Sequence, residues 1–312
     1  MAKHLATRPT QLFVTIILAA FSAWSQAEFK FPELQEPVEN PSNQAKIDLG
    51  RGLFSDTSLS IDSTYSCASC HDPEQHFTDG LKVAVGVHGQ LHSRNTPSLY
   101  NVGYNPSFGW DDQQIEQLED QHLVPLLSTD PLEMGFDQTK AAEVLANTNQ
   151  ALWHQAFGDD LDSTPPIGLI SRAIAAYLRT LKHPDNDFDR YVFADAPNAL
   201  TMDAKAGFAL FTSPRLGCGG CHSGFNFAGP QRTAEQSPEP LFHITGVAGS
   251  TKAFKTPSLR AVAFTAPYMH AGNLDTLEDV IDHYETTDAE EIPNFQLTDK
   301  EREQLIAFLR SL

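Results

Sequence analysis

Apolar residues recur at helical spacing along much of this chain. The clearest run is Ile167, Ile170, Ile174, Tyr177, Leu178 and Leu181, which share one face of a helix. Thr164 offers a cap and Pro165 a first-turn residue, and the helix should end before Pro184. A second strong pattern closes the chain: Thr298 and Glu301 form a capping box ahead of Leu305, Phe308, Leu309 and Leu312 on one face. Weaker periodicity predicts helices near 43–54, 113–127, 138–157, 186–194, 202–212 and 275–286. Between them lie long stretches rich in Gly, Pro, Asn and Ser, notably 55–66, 77–109 and 223–258. No region shows several alternating strands at regular spacing, so the expected fold is mainly α with long loops.

The first residues read differently from the rest. Lys3 and Arg8 precede an apolar run from Leu12 to Phe21, and Ser25-Gln26-Ala27 follows as a small-residue cleavage site. A signal peptide over 1–27 is expected, with an uncleaved anchor as the alternative. The run is short for a bilayer span, and no second long apolar stretch follows, so no stable membrane insertion is expected after cleavage. The exported body, 28–312, would lie in the periplasm. Without Lys3 and Arg8 the net charge of −19 becomes about −21. So acidic a body argues against nucleic acid and anionic lipid, and suits a partner with a basic docking patch. Its length makes two domains the natural expectation.

All four cysteines fall in two motifs of one form, C-A-S-C-H at 67–71 and C-G-G-C-H at 218–222. C-x-x-C-H is the attachment signature of c-type haem. Cys67 with Cys70 and Cys218 with Cys221 would form thioethers to the porphyrin, and His71 and His222 would each supply an axial ligand to iron. A bare pair of CxxC motifs could instead be a redox dithiol or a four-sulfur zinc site. Neither alternative explains a histidine directly after both pairs. Two covalent haems would leave no cysteine for a disulfide.

The chain also repeats itself. LGRGLF at 49–54 precedes the first motif and AGFALF at 206–211 the second, while TPSL at 96–99 recurs at 256–259. Trp110 and His270 each stand fourteen residues beyond the threonine, and Leu118-Glu119 is matched by Leu277-Glu278 with the spacing changed by one. Four matches in one order predict two haem domains related by duplication, 28–193 and 194–312, joined through 183–200 with its Pro184 and Pro197.

From about residue 44 to the C-terminus the sequence resembles the bacterial dihaem cytochrome c peroxidases and, among them, the MauG-like enzymes. The likeness rests on LGRGLFSDTSLS (49–60), CASCHDPEQHFTDG (67–80), RNTPSL (94–99), the Trp110 region, EDQHLVP (119–125), PLEMG (131–135), the second CxxCH and TPSLRAVAFTAPYMHAG (256–272). The resemblance implies two cytochrome-c-like domains face to face with calcium between the haems. It implies that hydrogen peroxide reacts at the His71 haem, where Gln121 and Glu133 line the distal pocket, Pro125 shapes it and Glu133 is the acid–base group. The interval from Gln121 to Glu133 is two residues longer than in the relatives. Trp110 would lie between the haems as an electron relay, although an isolated tryptophan is more often a core residue. Calcium would be held by the side-chain oxygen of Asn95 and the carbonyls of Thr265 and Pro267.

The ligand opposite His222 separates the subfamilies. Conventional dihaem peroxidases place methionine fourteen residues beyond the histidine of PYxH; counting from His270 gives Tyr284. A tyrosinate ligand suits a haem that stores an oxidising equivalent, as in the MauG-like branch. His283 and Met269 are the alternatives. Conventional relatives also carry a loop histidine that closes the peroxide site in the resting state. His88 lies near that offset and His92 close by, in surroundings that match loosely, so an open resting site is expected. MauG has a tryptophan just before its second CxxCH, where this chain has Leu216.

Three functions follow. The expected one is MauG-like oxidation of a residue on a partner protein, and the region 101–135 resembles a branch that modifies a tryptophan of a copper-binding partner. The second is peroxide detoxification with a small cytochrome or copper protein as electron donor. The third is a plain dihaem electron carrier, which would need strong distal ligands on both irons.

Overall fold

The computed structural model describes residues 31–112, 114–230 and 242–312. The proposed signal peptide therefore lies outside the described residues, among which no helix is long and apolar enough to cross a membrane. Among the described residues, thirteen helices run in the order α1 (Gln44–Phe54), α2 (Cys67–Cys70), α3 (Leu118–Gln121), α4 (Leu123–Leu127), α5 (Ala141–Asn147), α6 (Gln150–Phe157), α7 (Asp160–Ser163), α8 (Pro166–Leu178), α9 (Asp187–Phe193), α10 (Met202–Phe211), α11 (Cys218–Cys221), α12 (Leu277–Thr286) and α13 (Asp299–Leu309). Among the described residues, one two-stranded ribbon, β1 (Phe242–His243) antiparallel to β2 (Phe254–Lys255), interrupts an otherwise helical fold.

Local chemistry explains where helices begin and where the expected ones break. Asn43 and Thr201 cap α1 and α10 by accepting the N–H of the third residue on, and Thr298 with Glu301 forms the anticipated capping box of α13. The helix expected over 113–127 is instead α3 and α4, broken at His122; residue 113 is outside the described set. Pro125 has no N–H to give to Gln121 and its ring crowds that carbonyl, so one continuous helix cannot pass. The helix expected over 138–157 divides where the Asn149 side chain caps α6. Helix α8 ends at Leu178, earlier than its apolar pattern, where the Thr180 and Leu181 N–H groups turn to carbonyls three residues back, those of Tyr177 and Leu178.

Two buried clusters form. One gathers α1, α6 and α8 around Leu49, Leu53, Phe54, Trp153, Ile170 and Ile174; the other gathers α9, α10, α12 and α13 around Phe188, Phe211, Phe227, Ile281 and Phe308. Each fully buried side chain of this size contributes roughly 1.5–3 kcal/mol. One device holds both clusters. A Cβ on Gly50 would sit 2.0 Å from the Ala173 carbonyl oxygen, and one on Gly207 would sit 1.9 Å from that of Gln304. Glycine alone lets α1 cross α8, and α10 cross α13, backbone against backbone. The parallel agrees with the internal repeat, since Gly50 and Gly207 occupy matching places in LGRGLF and AGFALF.

The two halves meet through loops. Asn226 donates to the Asn101 carbonyl (3.2 Å) and to Asn105 Oδ1 (2.6 Å), the Asn95 N–H donates to the His270 carbonyl (2.9 Å), and the Lys255 N–H to the Trp110 carbonyl (2.8 Å). These bonds bring the loops following each CxxCH motif onto one seam.

Candidate functional site: a chamber between two CxxCH motifs

The two motifs fold alike. Each CxxC makes a single helical turn, α2 or α11, and the histidine after it is the C-cap. His71 Nδ1 lies 3.0 Å from the Phe77 carbonyl, and His222 Nδ1 lies 2.8 Å from that of Phe227. A carbonyl can only accept, so the proton sits on Nδ1 and Nε2 keeps its lone pair. Burial keeps both rings neutral, pushing His222 down to about 4 and His71 below the usual imidazole value. None of the four cysteines is paired in a disulfide. Burial raises Cys67 and Cys70 to about 12 and Cys218 to about 11.

Both motifs open on one cavity of about 690 Å³ with a mostly apolar wall. Cys67, Cys70 and His71 line it from one half, and Cys218, Cys221 and His222 from the other. Among the described residues no three His, Cys, Asp or Glu side chains converge to hold a metal ion, which removes the four-sulfur zinc alternative. A porphyrin fits on three counts. Each end presents two thiols and an imidazole with a free Nε2, and the wall between is apolar. Lys255 also lines the cavity, and burial pushes its ammonium down to about 8. No carboxylate pairs with it among the described residues. The propionates of a haem would supply that missing charge.

In the first half, Gln121, Pro125, Glu133 and Trp110 all line the chamber. Gln121 Oε1 is buried without a hydrogen-bond partner. Glu133 is fixed from behind. The Val87 N–H donates to its carbonyl at 2.8 Å, and a Cβ on Gly86 would overlap the Leu132 carbonyl oxygen at 2.1 Å. The same tight loop carries His92, whose Nε2 lies 3.0 Å from Glu133 Oε1. His88 takes a different course: its ring is largely exposed and pairs with Asp62 at 3.3 Å. Trp110 joins the halves, donating Nε1–H to the Asn95 carbonyl at 3.0 Å and accepting from Lys255 through its own carbonyl. Sequence reasoning missed His122. Its ring is buried in the chamber wall with neither nitrogen partnered, and burial lowers it to about 4.

In the second half, Tyr284 lines the chamber. Its phenol makes no hydrogen bond among the described residues, and burial, reinforced by the Cys218 and Cys221 thiols, raises it above the ordinary tyrosine value. His283 is otherwise engaged, with Nε2 2.9 Å from the Thr245 carbonyl. Met269 also reaches the chamber, whereas Leu216 contributes an apolar wall. Asn95, Thr265 and Pro267 share that wall. Asn95 Nδ2 donates to the Leu81 carbonyl at 2.9 Å, which turns Oδ1 the other way.

Two half-buried Cys-x-x-Cys-His ends sharing one apolar chamber define a protein of the two-haem c type. The family described as di-haem cytochrome c peroxidase matches residues 44–196. The methylamine utilization protein MauG of Methylorubrum extorquens is 35% identical, over 92% of this chain and 84% of the relative. The cytochrome c peroxidase Ccp of Escherichia coli is 30% identical over 88% of this chain and 60% of its own. A solved MauG-like protein associated with microbial copper homeostasis superposes with a TM-score of 0.81 at 31% identity, covering 93% of this chain and 95% of that one. The chain belongs to the dihaem cytochrome c peroxidase and MauG family, carries two c-type haems, and is a peroxide-dependent oxidoreductase.

Proposed function

We propose that this enzyme works in the MauG-like manner, reducing hydrogen peroxide in the pocket of Gln121 and Glu133 and drawing electrons past His222 from an oxidisable residue of a periplasmic partner protein. In this reading 28–193 is the peroxide-reactive domain and 194–312 the electron-transfer domain. When bound, the haems supply the redox-active iron on which peroxide is reduced and its oxidising equivalents are held. His71 and His222 would each ligate iron through the free Nε2, and the four thiols would hold the porphyrin edges.

The protein's own groups do the rest. Glu133 takes the proton from one peroxide oxygen and returns it to the other, so that the O–O bond parts with water as the leaving group. Gln121, buried and unpartnered, is placed to orient the bound peroxide through Oε1. Trp110, tied by hydrogen bonds to Asn95 in one half and Lys255 in the other, is the relay between them. The observation that carries the MauG-like reading is Tyr284. It lines the chamber facing Cys218 and Cys221 with an unbonded phenol, where a conventional peroxidase has methionine. The likeness to a protein associated with copper homeostasis points to a copper-binding partner as the substrate class. Asn95 Oδ1 with the Thr265 and Pro267 carbonyls, none of which accepts a hydrogen bond among the described residues, would bind calcium at the seam.

Glu133→Gln tests the assignment. Stopped-flow mixing with peroxide should show the reaction slowed on the order of 10²-fold or more, with both ferric haem spectra kept. Peroxide kinetics equal to wild type would remove Glu133 from the mechanism.

A further inference from the structure

We infer that Ser98 and Ser258, the serines of the two TPSL repeats, are positioning residues that set the donor strength of the iron-facing histidine in each half. This role rests on the proposed ligation of iron by His71 and His222 through Nε2. A ligating imidazole is tuned by what its other nitrogen does. A carbonyl held against Nδ1–H raises the basicity of the ring and makes it a stronger donor to iron. In both halves that carbonyl belongs to a phenylalanine, Phe77 at 3.0 Å from His71 and Phe227 at 2.8 Å from His222.

Neither carbonyl sits in relaxed backbone. Phe77 has a φ of 60° and Phe227 one of 52°, in the left-handed region that a bulky side chain rarely adopts. Such strain persists only where the surroundings over-determine it. The rings are packed, Phe77 against Phe54 and Tyr100, and Phe227 against Phe188 and Phe308. The peptide ahead of each ring is held by a serine. Ser98 Oγ donates to the His76 carbonyl at 2.7 Å, and Ser258 Oγ donates to the Asn226 carbonyl at 2.9 Å. Each hydroxyl is itself oriented. The N–H two residues on, that of Tyr100 or Arg260, donates to it at 3.2 or 3.1 Å, which leaves its one proton for the carbonyl.

The brace recurs although the loops around it differ. Phe77 lies six residues past His71 and Phe227 five past His222, and His76 and Tyr100 stand where the second half has Asn226 and Arg260. What is kept is the serine, the carbonyl it holds and the next carbonyl on the histidine. Both serines also line the chamber. Without the hydroxyl, the strained phenylalanine relaxes and its carbonyl turns from Nδ1. The ring becomes a weaker donor, ferric iron is less stabilised and the reduction potential rises.

The test uses the haem-loaded protein and compares wild type with Ser98→Ala, Ser258→Ala and the matching threonine variants, which keep the hydroxyl. Resonance Raman of the ferrous form reads the iron–histidine stretch of the open haem. Electron paramagnetic resonance of the ferric form reads the g values of the low-spin one. We expect Ser98→Ala to lower the stretching frequency and spare the g values, and Ser258→Ala to do the reverse. Both alanine variants should titrate at more positive potential, and threonine should restore the wild-type values. Alanine variants with the wild-type stretch, g values and potentials would overturn the brace while leaving histidine ligation standing. So would one variant that moves both haems alike, or a shift or loss of fold that threonine does not rescue. A wild type with no iron–histidine stretch would remove the parent reading, and the brace with it.

Discussion

Arg260 offers the sharpest quantitative test of how the second haem site is held. Its side chain is completely buried and donates to Asp189 Oδ1 at 2.6 Å and twice to the Phe225 carbonyl, at 3.0 and 2.7 Å. The guanidinium also lies over the ring of Phe225, 4.5 Å from its centroid. It thereby ties helix α9 to the loop whose Phe227 carbonyl orients His222. Arg260→Met keeps the approximate volume and removes every donor. Asp189, whose side chain is only 2% exposed, is then left as an uncompensated buried charge. Breaking such a pair costs about 3–5 kcal/mol, and stranding the carbonyl belongs to that same loss. Burial already raises the Asp189 carboxyl despite the opposing pull of Arg260, and without Arg260 it rises further. The folded form then binds a proton that the unfolded chain has released, so stability falls as pH rises through that window. Guanidinium unfolding followed by circular dichroism should show a deficit of about 3–5 kcal/mol near neutral pH that shrinks toward pH 5. Asp189→Asn in the same background should recover much of it. A deficit under about 1 kcal/mol, or one independent of pH, would refute the claim that this ion pair braces the loop.

Two further outcomes are specific. Gly207→Ala should destabilise by at least about 1–3 kcal/mol, because its Cβ meets the Gln304 carbonyl at 1.9 Å and forces α10 from α13. Gly52→Ala, with nothing within 4 Å of its new Cβ, should be neutral or stabilising by up to ~1 kcal/mol, so thermal melts of the pair separate crowding from helix propensity. Tyr284→Phe should leave folding intact and convert one low-spin haem to high-spin in the absorption spectrum; an unchanged spectrum would exclude tyrosine ligation.

What could be read from the sequence follows how local each signal is. The CxxCH motifs, the capping box at Thr298 and the helical stripe from Ile167 are local, and the structure realises each one. Helix breaks at His122 and Asn149 were missed because apolar periodicity runs across them, although Pro125 and the Asn149 cap were visible in the sequence. Pairings between distant residues leave no such trace. His92 and Glu133 meet only because Gly86 seats their two segments together, and Arg260 finds Asp189 only once α9 has packed into the second cluster. Gln121, Trp110 and Glu133 are expected only through family resemblance, since each alone is an ordinary surface or core residue type. His122 carried no motif, and only its burial without a partner distinguishes it.

The central claim is that the chamber holds two haems of unequal openness, with peroxide reaching iron only opposite His71. Low-temperature electron paramagnetic resonance of the ferric protein as isolated, repeated after adding peroxide, tests it most directly. The account predicts one high-spin and one low-spin signal, both lost with peroxide. Two low-spin signals that peroxide leaves untouched would contradict it.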